Sequence, residues 1–196
     1  MQVKEPVSGT AERVAAAAVS VVARDGFDVL SVRTVAREAG LSGGAVQYHY
    51  ATRAELLLAA FQHTVRTITD RLAATDLDGP LPVVLRRLCR EALPLDAARR
   101  RECVVWVALT AAAAVHPELA AEHARALRAA TDLLVDAIAA ARASGELDGA
   151  VEPAQAGAVL VAVLDGLTLH GITGSRGGPA LTATLDAAID LVLRTG

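Results

Sequence analysis

The 196-residue chain is 53% hydrophobic but only 3% aromatic, so its core must be built mainly from alanine, valine and leucine. Alanine and leucine favour helices, and alternating β-branched runs bounded by turns are scarce, which favours an all-α fold. The formal net charge of −3 excludes the strongly basic balance of a protein that coats nucleic acid without specificity.

The first third of the chain has the pattern of several short helices. Residues 1–10 are predicted to be a disordered tail, and a first helix is predicted over residues 11–25, where Gly26 is a natural stop. Ser31 is a good N-cap for a second helix, and Gly40 ends it. The serine and the two glycines therefore predict the boundaries of two short helices.

A third and a fourth helix follow. Ser42 can cap a very short third helix, and the fourth has the clearest start signal in the chain. Thr52 and Glu55 form the S/T-x-x-E capping box, in which each side chain accepts a hydrogen bond from the backbone N–H of the other residue. Further helices are predicted over residues 81–94, 98–115, 117–144, 153–173 and 179–194.

The spacing of Ala36, Gly40 and Val46 predicts a helix-turn-helix. The small residue at 36 lets two helices approach closely, the glycine supplies the positive φ that a tight turn needs, and Val46 points back into the core. The second helix of such a unit enters the major groove of DNA. We therefore predict a helix-turn-helix DNA-binding domain over residues 11–55, followed by a larger helical domain over residues 56–196.

Residues around the second helix of this unit are the candidate DNA contacts. Two glycines in its first turn let the backbone approach a phosphate or a base closely. Gln47 can pair with adenine, and Tyr48 can lay its ring along a sugar or a thymine methyl, whereas Tyr50 is predicted to face inward. The predicted DNA-binding residues are Arg33, Ser42, Gly43, Gly44, Gln47, Tyr48, His49 and Arg53.

The net charge of residues 1–55 does not distinguish them as a DNA-binding region. Residues 1–55 carry six basic and six acidic side chains, so a DNA-binding face must come from their arrangement. Arg33, Arg37 and Arg53 can supply a local basic patch. Arg53 is predicted to clamp a phosphate, Arg33 to reach a guanine or a phosphate, and His49 to hydrogen-bond a phosphate.

Many positions at fixed spacing between residues 26 and 61 resemble the N-terminal DNA-binding region of TetR/AcrR-type transcriptional regulators. The matching features are Gly26-Phe27, Ser31-Val32-Arg33, Val35-Ala36, Ala39-Gly40-Leu41-Ser42, Gly44, Tyr48-His49-Tyr50 and Thr52-Arg53. The resemblance implies a larger helical domain with a ligand cavity and a dimer surface. Two later runs, RRECVVWVAL and LDGLTLHG, are similar to a C-terminal subclass associated with the betaine-pathway repressor.

Trp106 is conspicuous because it is the one aromatic residue that follows Phe61. We predict that it lines a ligand pocket, and the alternative is that it fills a gap in the core. Polar groups on an otherwise apolar late helix can face the same ligand, can be satisfied core groups or can lie at a subunit contact. The predicted ligand-binding residues are Cys103, Trp106, Val107, Thr110, Asp165, Thr168 and His170.

Other clusters of polar residues predict neither a cofactor nor a metal site. The spacing of His116, Glu118, Glu122 and His123 is not that of a metal-binding motif, and no catalytic signature appears. A dense arginine cluster is interleaved with acidic residues, and we interpret it as a solvated face rather than a nucleic-acid site. It comprises Arg86, Arg87, Arg90, Arg99, Arg100 and Arg101.

The last two helices carry broad apolar faces that predict a subunit interface. Helix pairs of this kind assemble as a four-helix bundle across a two-fold axis, and two half-sites on DNA need that symmetry. The predicted dimer residues are Val159, Leu160, Val163, Leu167, Leu181, Leu185, Ile189 and Val192. We expect a homodimer that binds a palindrome-like operator.

We interpret the chain as a ligand-responsive transcriptional regulator, a repressor that a small-molecule effector releases from double-stranded DNA. A cytoplasmic location without a membrane partner is expected. The N-terminus lacks the apolar core of a signal peptide, and the longest uncharged apolar run, around residues 104–115, is too short to span a bilayer. Three alternatives stay open: a constitutive regulator without an effector, a helical enzyme, and a helical interaction module that does not bind DNA.

Overall fold

Nine α-helices, one 3-10 helix and no strand make up the part of the chain that the computed structural model describes, residues 7–147 and 151–194. The helices are α1 (Val7–Asp25), α2 (Val32–Ala39), α3 (Gly43–His49), α4 (Arg53–Ala73), α5 (Leu81–Glu91), α6 (Ala97–Ala113), α7 (Pro117–Ala143), α8 (Pro153–Ile172) and α9 (Gly178–Arg194). The 3-10 helix, Phe27–Val29, joins α1 to α2. The predicted all-α fold is confirmed.

Most helices begin where capping and proline signals predict. α7 and α8 start at Pro117 and Pro153, because the missing N–H and fixed φ of proline suit the first helical residue. α1 is an exception, since it begins at Val7 rather than near residue 11. Residues 7–10, which the sequence assigns to a disordered tail, are therefore helical, and residues 1–6 of that tail lie outside the described residues.

The chain divides into two compact units. Unit 1 comprises residues 1–67 and 104–123, and unit 2 comprises residues 68–103 and 124–196. α4, α6 and α7 each contribute to both units. The functional boundary predicted between residues 55 and 56 stays a prediction, because unit 1 also takes in most of α4 and the second half of α6.

The core of the first three helices is built from small and β-branched side chains. α1 packs against α2 and α3, and α2 packs against α3. Removing these apolar surfaces from water stabilises the arrangement by about 25 cal/mol per Å². Buried members of this core include Val14, Ala18, Val21, Val22, Val35, Ala36 and Val46.

Unit 2 has a second core, formed by leucine and isoleucine side chains. α9 packs against both α8 and α5, and α7 adds buried residues to the same cluster. Its fully buried members include Leu85, Leu93, Ile138, Leu160, Leu185 and Ile189. This core takes up the inner faces of the last two helices.

Two glycines of α8 permit close packing in unit 2. A Cβ on Gly171 would lie 2.4 Å from Cγ of Pro94 and 2.9 Å from Cδ1 of Leu181. A Cβ on Gly157 would lie 2.7 Å from Cγ2 of Val135. These separations are too short for real Cβ contacts, so glycine at both positions sets the distance between α8 and its neighbours.

Part of the arginine cluster ties α5 to α9. Arg86 pairs with Asp190 and, at 3.4 Å, with Asp186. Arg90 pairs with Asp186 at 2.8 Å. These side chains are half-buried, so this part of the cluster is an ion-paired contact between α5 and α9 that is less solvated than the sequence predicts.

A buried carboxylate joins three further helices of unit 2. Glu102 on α6 is 8% exposed, and both of its oxygens accept hydrogen bonds from the Arg71 guanidinium of α4, at 2.9 and 2.6 Å. Arg71 also lies 3.0 Å from Glu91 at the end of α5. The hydrogen bonds that Arg71 donates to Glu102 raise the pKa of Arg71, and the paired geometry compensates both charges for their loss of water.

One described helix, α8, is long and apolar enough to cross a membrane on the criteria of length and composition. The uncharged apolar run noted in the sequence, residues 104–115, lies mostly in α6 and not in this helix. α8 buries one face in the core of unit 2, and core helices of soluble proteins meet the same criteria.

Candidate nucleic-acid interface and ligand site

Local hydrogen bonds fix the start of α2. The Ser31 hydroxyl accepts a hydrogen bond from the backbone N–H of Thr34 at 3.2 Å, and the Thr34 hydroxyl accepts one from the N–H of Ser31 at 2.9 Å. The predicted N-cap is confirmed, with threonine in the reciprocal position that glutamate or glutamine usually occupies. The beginning of α2 is thus defined by the chain itself.

The turn between α2 and α3 has the geometry that the glycine spacing predicts. Gly40 has φ 64° and ψ 35°, a left-handed conformation that glycine adopts without penalty. The N–H of Leu41 donates to the carbonyl of Ala36 at 2.9 Å, and the Ser42 hydroxyl accepts from the N–H of Ala45 at 3.1 Å. This turn aims α3 away from α2 while Val46 anchors α3 in the core.

One face of α3 is left in solvent. Gln47 is exposed and Tyr48 is 81% exposed, while His49 is half-buried with its ring 5.1 Å from that of Tyr48. A Cβ added to Gly43 or Gly44 would meet no atom within 4 Å among the described residues. Packing within the described part of the chain therefore does not require glycine at these two positions.

Arg53 occupies a different position from the one predicted. Its guanidinium donates to the carbonyl of Phe27 and, at 3.1 Å, to the carboxylate of Asp28. Its central carbon also lies 4.0 Å from the centre of the Phe27 ring. We therefore correct its assignment: Arg53 clamps the first turn of α4 onto the 3-10 helix, so most of its donors are already used.

Arg24 is also engaged within unit 1, whereas Arg33 and Arg37 are exposed. Arg24 pairs with Asp25 and Glu38, both at 2.9 Å, and holds the pKa of Asp25 below its ordinary value through a hydrogen bond. Arg33 and Arg37 are exposed one turn apart on α2, and neither donates a hydrogen bond to another described residue. These two side chains give α2 two exposed cations.

The predicted capping box at the start of α4 is confirmed. The Thr52 hydroxyl accepts from the N–H of Glu55 at 3.1 Å. The Glu55 carboxylate accepts from the N–H groups of Thr52 and Ala51 at 3.0 and 2.6 Å. These backbone hydrogen bonds hold the pKa of Glu55 below its ordinary value, so the cap persists throughout the neutral pH range.

Three rings gather in the part of unit 1 that contains α6. Trp106 lies 5.4 Å from the buried ring of Phe61 and 5.3 Å from the ring of His123. Nε2 of His123 is 3.0 Å from the hydroxyl of Thr110. We name Phe61, Trp106 and His123 the aromatic wall. Trp106 and His123 are half-buried, so the wall can be reached from solvent.

Several predicted ligand residues belong elsewhere. Cys103 and Thr168 are buried in unit 2 and hydrogen-bonded to each other. Burial raises the pKa of the Cys103 thiol to about 12, a shift that the hydrogen bond with Thr168 opposes. His170 is exposed, with Nδ1 3.4 Å from the hydroxyl of Ser175. This pairing favours the alternative of satisfied polar groups for Cys103 and Thr168.

The other predicted ligand-binding residues, Val107 and Asp165, differ in their exposure to solvent. Val107 is half-buried in unit 1, and Asp165 is exposed on α8. Two residues of this region were not predicted as ligand contacts: His123, which was weighed only as a metal ligand, and Thr64, which is 1% exposed. His123 and Thr64 do not belong to a recognisable sequence motif. Their surroundings are created by the packing of α4, α6 and α7 in unit 1, which the sequence does not reveal.

The prediction of the dimer face is wrong for most of its residues. Five of them are 4% exposed or less within the single chain because they form the core of unit 2: Leu160, Leu167, Leu181, Leu185 and Ile189. Val163 and Val192 pack against that core, and Val159 is 47% exposed. The solvent side of the two helices carries a different apolar set, Ala158, Val159, Ala162, Gly166 and Leu169 on α8 with Ala183, Ala187 and Leu191 on α9. We name this set the outer α8–α9 face.

The fold and the exposed face of α3 define a helix-turn-helix protein, and comparison with known families agrees. Residues 14–60 match the family described as bacterial regulatory proteins, tetR family. Residues 84–194 match the family described as BetI-type transcriptional repressor, C-terminal. The chain belongs to the tetR family, and it is a transcriptional regulator with a DNA-binding domain rather than an enzyme. The family resemblance seen in the sequence is confirmed.

Individual relatives extend this result. The chain is 33% identical over 101 residues to the HTH-type transcriptional regulator PksA of Bacillus subtilis (strain 168), a match that covers 51% of the chain and 49% of that relative. The chain thus spans about half the length of this curated relative. A transcriptional regulator from Rhodococcus sp. Rha1 has a solved structure with 33% identity, a TM-score of 0.85 and coverage of 94% of this chain and 96% of its own.

A second solved structure was determined with a ligand. It is a regulator from Saccharomonospora viridis in complex with choline, with 23% identity, a TM-score of 0.84 and coverage of 93% of this chain and 96% of its own. At this identity the similarity concerns the fold alone.

Proposed function

We propose that the protein is a cytoplasmic repressor that binds a palindrome-like operator in double-stranded DNA as a homodimer and is released by a small-molecule effector. The exposed face of α3 carries this proposal. Tyr48 is 81% exposed beside exposed Gln47, on a helix whose opposite side is anchored by Val46. An aromatic side chain held in water by a rigid turn is available to a partner molecule.

In the proposed complex, the N-terminal part of α3 enters the major groove. Gln47 pairs with adenine, and Tyr48 contacts a sugar or a thymine methyl group. Arg33 contacts a phosphate or a guanine from α2, and exposed Arg37 adds positive charge one turn away. The proposed DNA contacts are Arg33, Ser42, Gly43, Gly44, Gln47, Tyr48 and His49.

The outer α8–α9 face is the proposed dimer contact. Its members are alanine, glycine, valine and leucine, and three of them are large side chains that water reaches: Val159 at 47%, Leu169 at 50% and Leu191 at 66% exposed. A row of apolar side chains on two adjacent helices suits a second copy of the same surface across a two-fold axis. The same symmetry provides two recognition helices for the two halves of an operator.

The aromatic wall is the proposed effector contact, with a small organic cation as the ligand class. Tryptophan is the strongest aromatic partner for such a cation. Glu122, whose carboxylate accepts a hydrogen bond from Gln62 at 3.4 Å, adds negative charge next to His123. The choline complex of the Saccharomonospora viridis regulator supports this class and makes choline the first probe to use.

Selection of bound duplexes from a random DNA pool tests the DNA-binding part of the proposal. The wild type, Gln47→Ala and Tyr48→Ala are compared at two salt concentrations, with Arg128→Ala, an exposed substitution on α7, as the control. We expect a palindrome whose enrichment is lost in both α3 variants and kept in the control. If no duplex is enriched by the wild type even at low salt, the proposed operator binding is wrong.

A further inference from the structure

One buried hydroxyl in unit 1 has no hydrogen-bond partner. Thr64 on α4 is 1% exposed, and its Oγ1 makes no hydrogen bond within the described part of the chain. Other threonines of the same helical region donate to the carbonyl four residues earlier: Thr67 to His63 at 3.0 Å and Thr75 to Arg71 at 3.1 Å. A buried polar group without a partner loses its water and gains nothing in return.

The surroundings of Thr64 point to a ligand rather than to packing. Thr64 lies three residues after Phe61, so the two side chains share one face of α4. Phe61 is the innermost ring of the aromatic wall, in contact with Trp106. Valine has nearly the same shape as threonine and carries no hydroxyl. A purely structural position would therefore be filled equally well by valine.

We propose that the Thr64 hydroxyl is a specificity-determining contact that hydrogen-bonds a hydroxyl group of the effector. This inference rests on the proposed function and narrows its ligand to small hydroxylated molecules whose alkyl or cationic end lies on the aromatic wall. The aromatic wall contains no lysine or arginine, and Glu122 directly precedes His123 in the chain. An effector with a carboxylate in place of the hydroxyl would bring two negative charges together.

Ligand pairs that differ by one group test the inference. Binding of choline, ethyltrimethylammonium (choline without its hydroxyl), glycine betaine and 3,3-dimethyl-1-butanol (choline without its charge) is measured by calorimetry on the full chain. The proteins are the wild type, Thr64→Val, Thr64→Ser and Thr67→Val. Thr67→Val is the matched control, because it removes a hydroxyl that is already bonded within α4.

We expect the wild type to bind choline at least about tenfold more tightly than ethyltrimethylammonium, because a site built to bond a hydroxyl rejects the analogue that lacks it. Thr64→Val should abolish this preference by weakening choline binding, whereas Thr64→Ser and Thr67→Val should keep it. Glycine betaine should bind more weakly than choline. Without ligand, Thr64→Val should unfold at the same denaturant concentration as the wild type or at a higher one.

Three results would overturn the inference. They are an unchanged choline preference in Thr64→Val, a loss of stability in that variant without ligand, and no binding of any of the four probes to the wild type. If the uncharged alcohol binds as tightly as choline and depends on Thr64, the inference stands and the proposed organic-cation class fails. The selection of bound duplexes tests the proposed operator binding separately, because it uses none of these ligands.

Discussion

Two exposed arginines of similar appearance in the sequence are expected to have different effects. Arg33→Ala should weaken operator binding to a similar extent for all sequences if it contacts a phosphate, and it should reduce the slope of log affinity against log salt by about 1. Arg53→Ala should instead lower the thermal unfolding midpoint, because it removes the clamp on Phe27 and Asp28. Salt titrations of operator binding and thermal unfolding curves on both variants measure the two effects.

The opposite pattern would restore the assignment made from the sequence. An Arg53→Ala protein that is fully stable but has a shallower salt dependence would show that Arg53 binds phosphate after all. The sequence could not distinguish the two roles. Arg53 and Phe27 are 26 residues apart, so their contact depends on how α4 meets the 3-10 helix. By contrast, Ser31, Gly40, Thr52 and Glu55 were predicted correctly because each acts on backbone groups within a few residues.

At the scale of elements, Gly171 tests how tightly α8 packs. Gly171→Ala should destabilise the protein by about 1–3 kcal/mol, the usual consequence of adding atoms to a well-packed core, because its Cβ would lie 2.4 Å from Pro94. Gly9→Ala on α1 is the matched control, since a Cβ there meets no described atom within 4 Å. Denaturant unfolding measures both. Equal stability of Gly171→Ala and the wild type would mean that Pro94 and Leu181 can move aside.

The outer α8–α9 face predicts the behaviour of another pair of variants. Leu191→Glu places a charge on the exposed apolar surface of α9 and should turn a dimer into a monomer in sedimentation velocity experiments. Leu133→Glu, an equally drastic change on α7 at a side chain that is 39% exposed, should leave the dimer intact. A Leu191→Glu protein that still sediments as a dimer would mean that the interface lies elsewhere.

The same helices show what periodicity cannot predict. α8 is apolar around most of its circumference, so its sequence pattern does not show which side faces the core. The interface was therefore assigned to Leu160, Leu181 and Ile189, which the single chain already buries. The all-α fold and most of the helix start sites in the described part of the chain followed from local signals, with α1 as an exception. Which side of α8 and of α9 faces the protein interior is determined by the packed core of unit 2.

At the scale of the whole molecule, an effector acts only if it binds the free and the DNA-bound conformations with different affinities. Choline should lower operator affinity by a factor of roughly 5–150, the range of typical coupling energies. Fluorescence anisotropy of a labelled operator measures this change, with potassium chloride at equal ionic strength as the control, because salt alone weakens DNA binding. Choline binding without any change in operator affinity would contradict effector control.

The outer α8–α9 face also has a consequence for the steady-state amount of the protein in a cell. In the proposed homodimer, a subunit that has not yet met its partner would expose a row of alanine, valine and leucine side chains to the chaperones and proteases that act on such surfaces. Newly made chains would then be lost fastest when they are scarce and survive once they are abundant enough to pair. The lifetime of the regulator would rise with its own concentration, which sharpens the threshold at which it begins to occupy DNA.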